Sequence, residues 1–589
     1  FAGFPAETVY NVSGTLDDYK DDYQSRGEWA NYLRGAPFGP SDDRDAPGLR
    51  IPVDLALAFH TDAGRTDDES VIGTLLIVNS RGMDTTTVFP DGRSRRLNRE
   101  LAAIARREIV GDLRQSWKSD WTFRDTWDRG YSEATRPNVP SLLLELLSHH
   151  NPQDMRFALD PRFRRDAARS IYKTIGSFLA AQEGRTFVPQ PLPPTHLVAT
   201  IDDTGSRPLV HVRWRPQADP LEPDATPLRY VVYLRLGEGG WDNGTPVDGA
   251  EIALTAPEPG EVMSVRVAAV NAGGESEPSE ALAVGIGERG GPPVLVVSGF
   301  DRIAPPQFVD EGDLVGFMRS MDEGVADGLD VHTVGDQYEF DRDVPWIDDD
   351  QPGHGGSDAD LETTVFLGNS RDFIAVHGAS LLAAGRSFVS ASDEAVAEGD
   401  LALFPYPLVV LAMGEEKTTL SPDSLRPPEF EVWPDSLRTA LRAYVESGGK
   451  LFASGAYLGT DAADDPEAVR FLADVLGVQW RTGHAAVTGE VESSAPALLP
   501  LGETFRYNVE YRRDVYRVEA PDGLVPASPL GTVALRYPEN SIGAGVVTPR
   551  AVTLGFPFES IPDADSRDAL MRGVLRVLER GPGRPAADR

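Results

Sequence analysis

Two polar residues stand where apolar chain surrounds them. His60 closes the apolar run "LRIPVDLALAF" (49–59) and opens the Gly/Asp loop "HTDAG". Glu145 interrupts "SLLLELL" (141–147), a run with the look of a buried strand. An imidazole at a strand end can ligate a metal or hydrogen-bond a neighbouring loop. A carboxylate inside an apolar strand is costly unless it is paired, lies near a metal or faces water at an edge. Open α/β sheets place their sites at the carboxyl ends of strands, where His60 is expected.

Other polar residues cluster in acidic, aromatic loops of the same region. Arg26, Asp62, Asp128, Arg129, Glu133 and His149 could line a cleft for a glycan or peptide, with Arg26, Asp62, Arg129 and His149 as substrate-binding candidates. Structural ion pairs are the alternative for the charged ones, and capping of the loop after Glu145 for His149 and His150. Farther on, Ser454 lies in "ASGAYLGTD", read as a strand-to-helix turn that would expose a nucleophile, with His377 as a possible base. His354 lies in "PGHGG", among Asp348, Asp349, Asp350, Asp358 and Asp360. That loop could hold calcium through carboxylates, although it lacks EF-hand spacing.

The elements that must position these groups follow from periodicity. Strands are expected over 49–59, 71–80 and from 139, with helices over 97–118 and 161–182. Residues 1–35 mix acidic and aromatic positions with no clean period. Alternation of strand and helix predicts an α/β domain over 1–186. A proline-rich linker covers 187–196. Short alternating runs over 197–288 predict a β-sandwich with Trp214 in its core. Buried strands within 290–302, 407–419, 449–461 and 549–561, and a helix over 434–449 capped by Asp435 or Ser436, predict a doubly wound α/β domain over 289–580. The fold class is therefore multidomain α/β plus all-β.

"VDLALAFHTDAG" with "VPSLLLELLSHHNPQDMRFALDPRFRRDAARSIYKTIGSFL" resembles the C-terminal part of the zinc-dependent N-acetylmuramoyl-L-alanine amidases, over roughly residues 50–182. The resemblance implies that His60 is a zinc ligand and Glu145 the catalytic acid/base. It implies hydrolysis of an amide in peptidoglycan or a related envelope glycopeptide, and export to the envelope or beyond. The family's other ligands, a histidine and a glutamate, precede these motifs and are expected upstream of Phe1. "PGHGG" is similar to the family's first histidine loop, but it follows a polar segment rather than a strand, so His354 is expected far from His60. "AGFPAETVYN", "DDYQSRGEWANYL" and "WDRGYSEA" extend the likeness to a multidomain envelope group often labelled xanthan lyase or golvesin-like; no Tyr/His/Asn set suited to a lyase is visible. "SVRVAAVNAGGESEPSE" with Trp214 resembles a fibronectin type III domain, usually a spacer, with Met263 or Ser264 at the usual tyrosine. The last domain resembles the glutamine amidotransferase-like fold without its cysteine, which implies a non-catalytic role.

Bulk properties narrow the partners. A net charge of −36 repels nucleic acid and anionic membranes. No apolar run is long enough to span a bilayer. The absence of cysteine excludes disulfides, thiolate metal sites and cysteine nucleophiles. Three functions remain: a zinc amide hydrolase, a non-catalytic glycan-binding protein on a degenerate amidase fold, and a serine hydrolase built on Ser454.

Overall fold

The computed structural model describes residues 11–35, 48–312, 315–331, 337–339, 356–357 and 363–579, apart from 65, 67 and 69. His354 and the aspartates around it lie outside the described residues.

The first region is a four-stranded sheet in the order β1-β4-β2-β3. Its strands are β1 (Ala56–Asp62), β2 (Thr74–Val78), β3 (Phe123–Asp128) and β4 (Ser141–Ser148). β1 runs parallel to β4, which runs antiparallel to β2. Side chains alternate across β4. Leu142, Leu144 and Leu146 join Trp117, Trp121, Phe157 and Phe163 in the main core, whereas Leu143 packs with Leu75, Ile77 and Ala134 on the other face. Glu145 shares the Leu143 face by that alternation.

Two expectations about β1 need correction. It is a half-exposed edge strand rather than a buried one, because among the described residues only β4 flanks it. His60 lies inside it rather than at its end, since pairing resumes at Asp62↔Ser148 after an irregularity following His60. Such bulges re-aim side chains at sheet edges.

Helix α1 (Asp18–Arg34) occupies the stretch that showed no period. Asp17 caps it, and its buried positions are Gly27, Glu28 and Asn31, so the packed face is polar and hydrophobic periodicity could not show it. Gly27 is required there: a Cβ would lie 2.9 Å from Arg136 Cβ. The 97–118 helix forms as α2 (Leu97–Ala105) and α3 (Gly111–Ser116), joined through a π-type stretch at Arg106–Val110. The short α4 (Ser132–Thr135) and α5 (Pro152–Ala158) precede α6 (Pro161–Gln182), which carries proline at its first position after an Asp160 cap.

The β-sandwich places β5 (Thr195–Asp202), β6 (Leu209–Arg215) and β9 (Glu251–Thr255) against β7 (Arg229–Leu236), β10 (Val262–Asn271) and β12 (Leu282–Gly285), with β8 (Thr245–Val247) and β11 (Gly274–Pro278) at the margins. Trp214 is buried in its core, 5.2 Å from the Tyr230 ring, and Met263 is a core residue too. β5 begins inside the expected linker, whose remainder is held by Arg169 on Gln190 O and by Asn271 on Pro189 O.

The third region is built on five parallel strands: β13 (Val294–Ser298), Phe388–Ser392, Val409–Gly414, Leu451–Gly455 and Ala551–Leu554. β13 lies between the second and third in sequence, giving the order 2-1-3-4-5, so the winding reverses beside β13. Helices Ile374–Ala383 and Ala564–Glu579 pack together, as do Asp393–Ala397 and Asp435–Glu446. The last is capped by Pro434 rather than by Asp435 or Ser436, leaving Asp435 in its first turn.

The sandwich is not a free spacer. Strand Phe388–Ser392 pairs with β5 through Ser390↔Ala199 and Ala391↔Val198, and with β12 through Phe388↔Gly285. This covers what would be an open sheet edge. One hydrophobic core runs through both regions. The first region is also docked: buried Arg162 bonds Asp160 and Glu429 at 2.7 Å each, and Arg426 pairs with Asp166 while stacking on Trp117.

Candidate functional site

His60 and Glu145 are register partners on adjacent parallel strands, so both side chains leave the same face of the sheet. α4 covers that face and contributes Glu133, whose Oε1 lies 2.9 Å from His60 Nε2. The same oxygen accepts a 3.0 Å bond from Arg26 Nη1, which also pairs with Asp22. Arg26 reaches Glu133 because α1 is locked onto the start of β4: Glu28, fully buried, pairs with Arg136 at 3.1 Å, and Asn31 bonds Arg136 O and Asn138 N. Arg26, Gly27, Ala58, His60, Glu133 and Pro137 line a cleft of about 330 Å³.

Asp62, on the same strand, pairs with Arg124. Against the pull of burial, this bond and the Ala63 N–H hold Asp62 below the usual carboxylate range. Burial raises Glu145 above its ordinary value; His60 and Arg124 oppose this, and Asp62 and Glu133 add to it. Glu145 Oε2 is shut off from solvent and has no hydrogen-bond partner. A carboxyl whose proton affinity is raised beside an imidazole is suited to taking up and releasing a proton.

The other candidates separate. His149 bonds Thr61 Oγ1 at 3.0 Å, meets the His150 ring edge to face at 4.5 Å and acts electrostatically on Asp62, so it borders the cluster. Arg129 turns away onto the Trp127 ring, 4.1 Å from its centre, and no described contact joins it to His60. Asp128 is taken up by Ser80 and Arg99. Glu133, a minor candidate by sequence, proves to be His60's direct partner. Its signal was only a charge in the loop before β4.

His60 and Glu133 offer one nitrogen and one oxygen to a metal. Catalytic zinc takes three protein ligands. Among the described residues no third donor completes a close group with these two.

Ser454 lies within strand Leu451–Gly455 rather than on an exposed turn, fully buried with its Oγ unpartnered. His377 is also fully buried and bonds Glu559 at 3.0 Å. Neither is presented to a substrate in this arrangement. No described helix is long and apolar enough to cross a membrane.

No protein-family description and no curated protein matches the chain. Among solved structures, the twitchin kinase region from C. elegans is similar at 21% identity over 21% of this chain and 18% of its own, with a TM-score of 0.14. A fourth FNIII domain of human is similar at 26% identity over 18% of this chain and 84% of its own, TM-score 0.15. A cold-adapted β-galactosidase from Rahnella sp. R3 is similar at 14% identity over 36% of this chain and 27% of its own, TM-score 0.25. At these shares and scores the likenesses carry no argument about function.

Proposed function

We propose that the cleft at His60, with Glu145 beside it on β4, belongs to a zinc-dependent amide hydrolase acting on peptidoglycan or a related envelope glycopeptide, in an exported protein. The pairing of His60 with Glu145 across β1 and β4 carries this reading. The sandwich is then a fibronectin type III domain, and the third region a glutamine amidotransferase-like domain with a non-catalytic role. His60 and Glu133 are proposed as two zinc ligands, with the third donor coming from outside the described residues. Zinc, when bound, supplies Lewis-acid activation of water and of the amide carbonyl. Glu145 takes the proton of the attacking water and delivers it to the leaving amine. Arg26 holds Glu133 in place, and the cleft along β1 receives the substrate.

Zinc titration by calorimetry tests the ligand assignment. The chain is expected to bind zinc at this site, and His60→Ala to abolish that binding. Binding that survives His60→Ala would overturn the assignment and favour a glycan-binding protein without turnover.

A further inference from the structure

Where the sandwich meets the third region, acidic side chains converge from separate parts of the chain. Asp301 follows β13, Asp393 and Glu394 follow strand Phe388–Ser392, and Glu416 follows strand Val409–Gly414. All four thus come from the carboxyl ends of three adjacent parallel strands, beside the point where the winding reverses. Ligands of open α/β sheets bind at such a place. Glu280 closes the group from the sandwich side, in the turn before β12.

Oxygens of Asp301, Asp393 and Glu394 all lie within 4.8 Å of one another. Glu416 is buried and anchored, its Oε2 accepting the N–H groups of Asp301 and Arg302 at 2.8 Å each. Hydrogen bonds from Ser298 to Glu280 and from the backbone at Asp393–Glu394 still leave other oxygens of the group unpaired. Asp393 Oδ1, Glu394 Oε2 and Glu280 Oε2 are sealed from solvent and accept no hydrogen bond. The cation felt by Asp301 is Arg371, which is itself paired with Asp327 at 2.7 Å. Acidic residues in the first turn of Asp393–Ala397 are ordinary for a helix start. Three sealed, orphaned carboxylate oxygens from two chain segments are not, because buried acceptors are nearly always satisfied.

We propose that this junction binds one calcium ion, held by Asp301, Asp393 and Glu394 with Glu280 at its margin. The donors are all oxygens, which selects a hard cation. Calcium bonds oxygen at about 2.3–2.6 Å, so any two of its donors stand at most about 5.2 Å apart, a condition the three carboxylates meet. Magnesium demands near-octahedral geometry at about 2.0–2.1 Å, whereas calcium accepts an irregular set of oxygens such as this one. The ion joins two strand ends of the sheet to the sandwich turn and so fixes the angle between the regions. It is independent of the zinc reading, which concerns another face and other donors.

The test is calorimetric titration of the full chain, stripped with EGTA, with calcium chloride. One saturable equivalent is expected in the wild type, and loss of that equivalent in the double variant Asp393→Asn, Glu394→Gln. The variant removes like-charge repulsion, so its unfolding temperature in EGTA should equal or exceed that of the wild type. Absence of calcium binding in the wild type, unchanged binding in the variant, or preference for magnesium would overturn the proposal. Hydrogen exchange of the wild type gives a second reading free of mutation. Calcium should slow exchange in 280–285 and 388–394, and slowing only elsewhere would contradict the site.

Discussion

The first-region cleft and the acidic junction use similar side chains in opposite electrostatic conditions. In the cleft nearly every charge has a partner: His60 and Arg26 meet on Glu133, and Asp62 meets Arg124. Glu145, on the neighbouring strand, keeps an orphaned oxygen beside a histidine. At the junction several carboxylates face one another with their sealed oxygens unpaired. Pairing within a cleft fixes ring and carboxylate orientation, leaving one group free to exchange a proton. Convergence without pairing leaves a negative cavity that a cation can neutralise. The loop after β13 shows both conditions side by side: Asp301 joins the unpaired acids, while Arg302 turns away to pair with Asp322 at 2.6 Å.

Breaking the paired side of that loop should have the largest effect on stability. Asp322→Ala leaves Arg302 buried and uncompensated, and should cost about 3–5 kcal/mol in urea unfolding. The same pair predicts an acid transition. Burial works against ionising Asp322, but Arg302 and Lys417 outweigh it and lower its pKa from 3.8 to about 2. The folded value lies below the unfolded one, so the stabilisation is present above about pH 3.8 and is lost as pH falls through about 2. Roughly 2 kcal/mol should disappear over that window, and Asp322→Asn should flatten that part of the stability–pH curve. A smaller change sharpens the cleft side of the comparison. Glu133→Gln keeps a hydrogen-bond acceptor for His60 but removes the charge, and should cost about 1 kcal/mol while weakening zinc binding. Arg26→Ala should be smallest, about 0.2–1 kcal/mol, because Arg26 is partly exposed. An Arg26→Ala loss as large as that of Asp322→Ala would mean that the cleft charges, too, are isolated from water.

Sequence carried the apolar strands β1, β2 and β4 and four of the third region's five parallel strands, because apolar runs are visible without a structure, but it missed the polar β3 and strand Phe388–Ser392. α1 stayed hidden since its packed face holds Gly27, Glu28 and Asn31. Glu133 was obscured among other loop charges. Its contact with His60 depends on how α4 covers the sheet, which no local pattern encodes. Arg129 looked equivalent to Arg26 by composition, yet a neighbouring tryptophan captured it. The fusion of sandwich and sheet was illegible for a different reason: strand Phe388–Ser392 is a short segment whose two edges pair with distant strands. The junction acids were scattered over the same fusion, so their convergence could not be read before the topology was known.

The central claim is that Glu145 exchanges the proton in amide hydrolysis at the His60 cleft. The most direct test measures amino groups released from purified peptidoglycan by the zinc-supplemented full chain and its Glu145→Gln variant. The account predicts zinc-dependent release by the wild type, lowered about 10²–10⁴-fold in the variant, with zinc affinity unchanged. No release by the wild type, or equal release by the two proteins, would contradict it.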